Sequence, residues 1–211
     1  MVKVLEKIHI IDHSEAKNHG MESWLLDCKE GIILIDGGMH PQHIENIENE
    51  LKSINKKWSH VRFILITHKH GDHINNLPKL IELTGAQVLS HELEAPLIKA
   101  SVGIEVHGLK DHELLPWCGG IEIIHIPGHS EGNSCYYLIK DKVMIAGDTI
   151  FGDENSDLIP PPERYCLNVV QATKEMRRLL DYDFEVFLYT HGKDVLDHAK
   201  EKVSKLVEKH S

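Results

Sequence analysis

Residues 67–73 read Thr-His-Lys-His-Gly-Asp-His and follow the apolar run Phe63-Ile64-Leu65-Ile66. His68, His70, Asp72 and His73 thus place four metal-capable side chains in six residues, where a strand gives way to a loop. Close spacing fixes several donors on one turn, so an ion is bound without ordering much chain. Imidazole and carboxylate donors with no cysteine suit zinc, iron or manganese in an open catalytic site better than a closed structural zinc. Three more ligand-type residues follow apolar strands: His129 after Ile126-Pro127-Gly128, Asp148 after Ile145-Ala146-Gly147, and His191 after Leu188-Tyr189-Thr190. A glycine lies beside each of the four clusters (Gly71, Gly128, Gly147, Gly192), which permits close approach and unusual backbone angles.

The elements that must hold these residues alternate between strand and helix. Strands are predicted at Val4–Asp12, Trp24–Asp27, Ile32–Asp36, Phe63–Thr67, Gln87–Ser90, Ile121–Ile126, Cys135–Ile139, Val143–Ala146 and Val186–Thr190. Helices are predicted at Pro41–Asn55, Ile74–Leu83, Glu92–Ala100, Arg164–Leu180 and Val195–Lys209. A weak repeat runs through this order. The hairpin Leu25–Gly37 resembles Tyr137–Asp148, and each is followed by a helix and an apolar strand ending in Thr-His, at Thr67-His68 and Thr190-His191. The strand-end carboxylates Asp36 and Asp148 stand 112 residues apart and the two histidines 123 apart. Two similar β-rich halves, each with a helical layer, would stack sheet on sheet with helices outside. The expected architecture is therefore a four-layer αββα sandwich of the α/β (α+β) class, one domain over residues 1–211.

Composition narrows the partners. With 33 acidic and 23 basic residues the formal net charge is -10, which disfavours nucleic acid or an anionic membrane surface. Lys174, Arg177 and Arg178 are interrupted by Glu175 and read as a solvated helix face. Cys28, Cys118, Cys135 and Cys166 form no CxxC pair, so free thiols in a reducing compartment are expected. No segment has the length of a membrane span, and Met1–Lys7 is no signal peptide, which leaves the cytoplasm by elimination. Of the 17 histidines, those among polar neighbours (His13, His43, His60, His91, His112, His198) read as surface side chains. The sequence carries no signature of an oligomeric state.

Taken singly, His129, Asp148 or His191 would read as structural. Taken together, His68-x-His70-x-Asp72-His73, His129, Asp148 and His191, in that order and at strand ends, resemble the metallo-β-lactamase-fold superfamily, over Asp36 to His191. The resemblance implies two divalent metal ions about 3.5 Å apart, zinc first, with iron or manganese as alternatives. It implies that His68, His70 and His129 hold one ion and Asp72, His73 and His191 the other, with Asp148 bridging. Asp72 would also orient a bridging hydroxide, which attacks a small ester, thioester or lactone. Asp36 is either a partner of a ligand histidine or a turn carboxylate before Gly37-Gly38. A phosphodiesterase, a mononuclear iron persulfide dioxygenase using His68, His129 and Asp148, and a binding module without catalysis are the alternatives.

Departures from the family pattern narrow the branch. True β-lactamases of this fold usually carry Cys or Ser where Asp148 stands, so antibiotic hydrolysis is not expected. Pro127-Gly128-His129-Ser130 and Gly147-Asp148-Thr149-Ile150-Phe151 are similar to glyoxalase II enzymes and persulfide dioxygenases. Those continue with Gly-Arg-x-Asp, whereas this chain has Gly152-Asp153-Glu154-Asn155 and lacks the arginine expected for a glutathione carboxylate. The 20 residues after His191 are too few for the helical substrate domain of long glyoxalase II enzymes. Ile74-Asn75-Asn76 replaces a common Gly-Gly after the first motif. No general acid is evident; Tyr136, Tyr165 and His125 are candidates that read equally as packing. A small-molecule substrate is expected to meet loops 12–23 and 151–165, with Met21, Trp24, Phe151, Leu158 and Ile159 as the apolar candidates.

Overall fold

The computed structural model describes residues 6–14 and 20–210. The chain divides into two compact units, residues 1–110 and 111–211.

In unit 1–110 the strands are β1 (Ile8–Asp12), β2 (Glu22–Cys28), β3 (Gly31–Ile35), β4 (Val61–Ile66), β5 (Gln87–His91) and β6 (Val106–Leu109), paired in that order in one sheet. β1, β2 and β3 run antiparallel; β3 to β6 run parallel. Parallel neighbours need crossover helices, and α1 (Pro41–Ser53), α2 (Gly71–Ile74), α3 (Leu77–Thr84) and α4 (Ala95–Val102) lie in the connections. Pro41 opens α1 because its missing N–H costs nothing there. Ile47 and Leu51 of α1 and Leu77 and Leu80 of α3 join Leu34, Ile64 and Ile66 in one buried cluster. That cluster anchors the carboxyl end of β4, where the metal-capable turn begins.

In unit 111–211 the strands are β7 (Leu114–Leu115), β8 (Ile121–His125), β9 (Ser134–Leu138), β10 (Val143–Ile145), the hairpin strands β11 (Phe151–Gly152) and β12 (Leu158–Ile159), and β13 (Val186–Leu188). The main sheet has the order β13-β10-β9-β8-β7, antiparallel except for the parallel β10–β13 pair. Its helices are α5 (Val169–Glu175), continued by a 3-10 stretch Met176–Asp181, and α6 (Ala199–Lys209). Ala199, Val203, Leu206 and Val207 of α6 pack with Met144, Met176, Phe184, Phe187 and Tyr189.

The internal repeat is present as topology. In each unit an antiparallel hairpin, β2–β3 or β9–β10, gains a parallel neighbour, β4 or β13, on its second strand. Several sequence expectations need correction. The helix expected over Ile74–Leu83 is two pieces. The Asn76 side chain donates to the carbonyls of Gly37 and His40, both at 3.0 Å, and Pro78 sits in the first turn of α3. The helix expected over Arg164–Leu180 begins only at Val169, because Leu167 N–H and Asn168 N–H donate to His129 O and Gly128 O at 3.0 and 2.8 Å. β6, β7, β11 and β12 were not expected; they are short, and His107-Gly108 interrupts the apolar pattern of β6. The first part of the Val4–Asp12 strand lies outside the described residues.

His13, His43 and His91 are buried, not surface. His13 and His43 stack at 4.5 Å, and the ring nitrogens of His13 meet Ser23 Oγ at 3.0 Å and Asn46 Nδ2 at 3.3 Å. Cys135 and Cys166 are thiols, whereas Cys28 and Cys118 are disulfide-bonded, against the expectation of four free thiols. Among the described residues no helix is long and apolar enough to cross a membrane.

Candidate metal centre

In unit 1–110 the donors lie on the turn that leaves β4 and enters α2. Asp72 and His73 are the second and third residues of α2, so a helical turn fixes them next to each other. His68 Nε2 and His70 Nδ1 converge at 2.9 Å, and His73 Nε2 stands 3.7 Å from Asp72 Oδ2. The unit therefore presents two donor pairs, an imidazole pair and an imidazole–carboxylate pair.

A single buried carboxylate sets the tautomers of two of these histidines. Asp36 is 1% exposed. Its Oδ1 accepts from Thr67 N at 2.9 Å, and its Oδ2 accepts from Thr67 Oγ1 at 2.8 Å and from His73 Nδ1 at 2.8 Å. The Thr67 hydroxyl spends its one proton on Asp36, so its oxygen accepts from His68 Nδ1 at 3.1 Å. Both rings then carry their proton on Nδ1, which leaves Nε2 with a lone pair for a metal. Both sequence readings of Asp36 describe it: it sits on the left-handed turn before Gly37-Gly38 and its carboxylate holds the His73 ring.

In unit 111–211 the donors stand at the ends of β8, β10 and β13. Asp148 Oδ2 lies 3.5 Å from His129 Nε2 and 3.4 Å from His191 Nε2. Two donors each about 2.0–2.1 Å from one tetrahedral ion stand about 3.3–3.4 Å apart. The spacing thus suits Asp148 Oδ2 and either imidazole as donors to a metal ion. Asp148 is 3% exposed and His129 1%. Gly128 has φ +125, and a Cβ there would run into the backbone of Ala172, so only glycine brings the chain round at this point. Cys166 Sγ lies 3.7 Å from His129 Nδ1 and 3.8 Å from Pro161 O. Burial first, and then the Asp148 charge, push the Cys166 thiol up to about 11. Its S–H goes to the carbonyl while the sulfur faces the imidazole. Nothing in the sequence marked Cys166 for this position. Burial pushes the Cys135 thiol up to about 12, although the Thr149 hydroxyl lies 3.2 Å away.

The apolar candidates divide. Met21, Trp24 and Phe151 are 7%, 0% and 6% exposed and serve as core. Leu158 and Ile159 are half-buried on β12. Of the general-acid candidates, Tyr136 is wholly buried, and the ring of His125 is bonded to Glu131 O at 2.9 Å. Tyr165 is exposed, its ring parallel to Phe151, and Phe151 stacks on His191 at 4.9 Å.

Mixed α/β units with histidines and carboxylates at their strand ends define a class of metal-dependent folds. The model of the metallo-beta-lactamase superfamily matches residues 22–191, and the chain belongs to that superfamily. Its structure is similar to a metallo-beta-lactamase family protein from Thermus thermophilus, with a TM-score of 0.78 at 19% identity, covering 98% of this chain and 80% of the other. A metallo-beta-lactamase from Pontibacter korlensis gives 0.75 at 19% identity, over 98% and 97%. At those identities the likeness is one of fold. In sequence, the chain is 30% identical over 170 residues to an atrochrysone carboxyl ACP thioesterase from Claviceps purpurea (strain 20.1), covering 80% of this chain and 49% of that protein. It is 33% identical over 105 residues to a hydroxyacylglutathione hydrolase from Rhizobium meliloti (strain 1021), covering 48% and 38%. The chain spans about half the length, or less, of these two relatives.

Proposed function

We propose that the chain is a metal-dependent hydrolase of small esters, thioesters or lactones, working as one domain with a dinuclear centre. His68, His70 and His129 would hold one ion, Asp72, His73 and His191 the other, and Asp148 both. The observation that carries this reading is the set of donors that each unit presents at its own strand ends. One unit offers a His–His pair and an Asp–His pair; the other offers one carboxylate oxygen flanked by two imidazoles at 3.4–3.5 Å. When bound, the ions supply Lewis acidity and a nucleophile at neutral pH. Asp36 and Thr67 hold the imidazole tautomers. Asp72, whose side chain is 25% exposed, would orient the reacting water. Family membership and the two relatives named as thioesterase and hydroxyacylglutathione hydrolase support acyl transfer to water.

Elemental analysis of protein purified without added metal or chelator tests the reading. About two zinc ions per chain, with turnover on a thioester and lactone panel, is the expected result. One iron per chain with oxygen uptake on a persulfide would replace it by the dioxygenase. The charge of -10 supports a small-molecule substrate rather than nucleic acid or an anionic membrane. The cytoplasm is proposed on composition and the two thiols, and the disulfide-bonded Cys28 and Cys118 weigh against it. Alkylation of thiols in intact cells, before lysis, decides the compartment's redox state.

A further inference from the structure

Tyr165, Leu167 and Val170 are 46%, 66% and 75% exposed within six residues. Single exposed apolar side chains are ordinary; a run of large ones marks a contact surface. This run is tied to the metal-capable strand end, because Leu167 N–H and Asn168 N–H donate to His129 O and Gly128 O. A ring series leads inward from it. Tyr165 lies parallel to Phe151 (15° between planes, 6.2 Å), and Phe151 stacks on His191. The Arg164 guanidinium lies 4.6 Å from the Tyr165 ring centre and braces it. The connection between β11 and β12 is acidic, with Asp153, Glu154 and Asp157. Asp153 Oδ1 accepts from the backbone N–H groups of Asp157 and Asn155 at 2.9 and 2.8 Å, which keeps it ionised. Three carboxylates in one turn disfavour an anionic substrate tail beside it.

Resting on the hydrolase reading, we propose that Tyr165, Leu167 and Val170 seat the acyl group of the substrate, and that this group is apolar and uncharged. The substrate class is then an alkyl or aryl acyl ester or thioester, not a thioester with a charged peptide tail.

The test uses the purified holoenzyme and acyl thioesters of N-acetylcysteamine, two to ten carbons long. The expected kcat/KM rises with chain length, by up to about fourfold for each methylene fully buried. Leu167→Asp flattens that slope, whereas Leu114→Asp, an exposed residue of β7, leaves it unchanged. Calorimetric binding of the matching S-alkyl thioethers, which cannot be hydrolysed, gives the same slope without turnover. Thioether affinity that climbs with length in an inactive protein removes the hydrolase reading and keeps the seat. Turnover that ignores chain length removes the seat and keeps the hydrolase. A dimer that Leu167→Asp splits into monomers also overturns the seat and makes this surface an interface between copies.

Discussion

Replacing Asp36 by Asn separates the tautomer argument from simple packing. Asn is nearly isosteric and tolerates the left-handed backbone that Asp36 adopts at φ +58, so the turn itself survives. The carboxylate accepts three hydrogen bonds, from Thr67 N, Thr67 Oγ1 and His73 Nδ1. An amide has one accepting oxygen and one donating nitrogen. If its oxygen stays on Thr67 N–H, the NH2 faces His73 Nδ1. The ring must then move its proton to Nε2, the atom that would face a metal under the proposed ligand set. The loss of such a supporting partner typically costs 10- to 100-fold in metal affinity, about 1.4–2.7 kcal/mol. If the amide turns the other way, two donors meet at Thr67 N in a fully buried place, which costs about 1–3 kcal/mol of stability. Two assays divide these arms. Zinc affinity comes from competition with a chelator of known affinity. Thermal unfolding of the metal-stripped protein follows stability without the metal's own linkage; a fall of about 2–4 °C per kcal/mol is expected for a chain of this length. An Asp36→Asn variant with wild-type zinc affinity and wild-type apo unfolding temperature refutes the assignment of Asp36 as the group that fixes His73.

Three further outcomes follow from the same geometry. Asp148→Asn is expected to abolish turnover and lower metal content for both ions, since one oxygen serves two imidazoles; full metal content at full rate would remove Asp148 from the ligand set. His13 is pulled down from 6.5 to about 3, by burial first and then by the His43 charge. The unfolded chain therefore takes up this proton first, and stability is lost as pH falls from about 6.5 towards about 3. The loss at pH 5 is about 2 kcal/mol, and urea unfolding at pH 7 and pH 5 should show a smaller difference in His13→Gln than in wild type. Gly128→Ala places a Cβ on the backbone nitrogen of Ala172 at φ +125; about 2–4 kcal/mol of stability should go, and an unchanged unfolding temperature would contradict the close approach.

Much of the fold was legible because its signals are local. The runs Ile32–Ile35, Phe63–Ile66 and Val186–Leu188 are continuous apolar strands that end abruptly in polar residues, and each appears within one or two residues of its expected bounds. What was not legible depends on partners distant in sequence. Glu163–Tyr165 makes one 3-10 turn, but the backbone bonds of Leu167 and Asn168 to the 128–129 turn keep the α-helix from starting before Val169. His13 and His43 look like surface residues until each is seen to cover the other. Cys166 stands 37 residues from the histidine it faces, a separation that no pattern search reaches.

The backbone repeat lies two residues out of phase with the sequence similarity, and the difference explains why two similar carboxylates have different surroundings. Sequence similarity aligns Asp36 with Asp148. The backbone aligns Asp36 with Ala146, since Asp36 N–H donates to Leu65 O in one unit and Ala146 N–H to Leu188 O in the other. Both strands then turn through a left-handed residue, Asp36 itself at φ +58 and Gly147 at φ +51. Where the carboxylate sits on the turn, it is held by the Thr67 amide and hydroxyl and can only support a neighbouring ring. Where a glycine makes the turn, the carboxylate follows it, beyond those donors, and stands between His129 and His191. A displacement of two residues at the end of equivalent strands therefore separates a carboxylate that orients one neighbouring imidazole from one that stands between two.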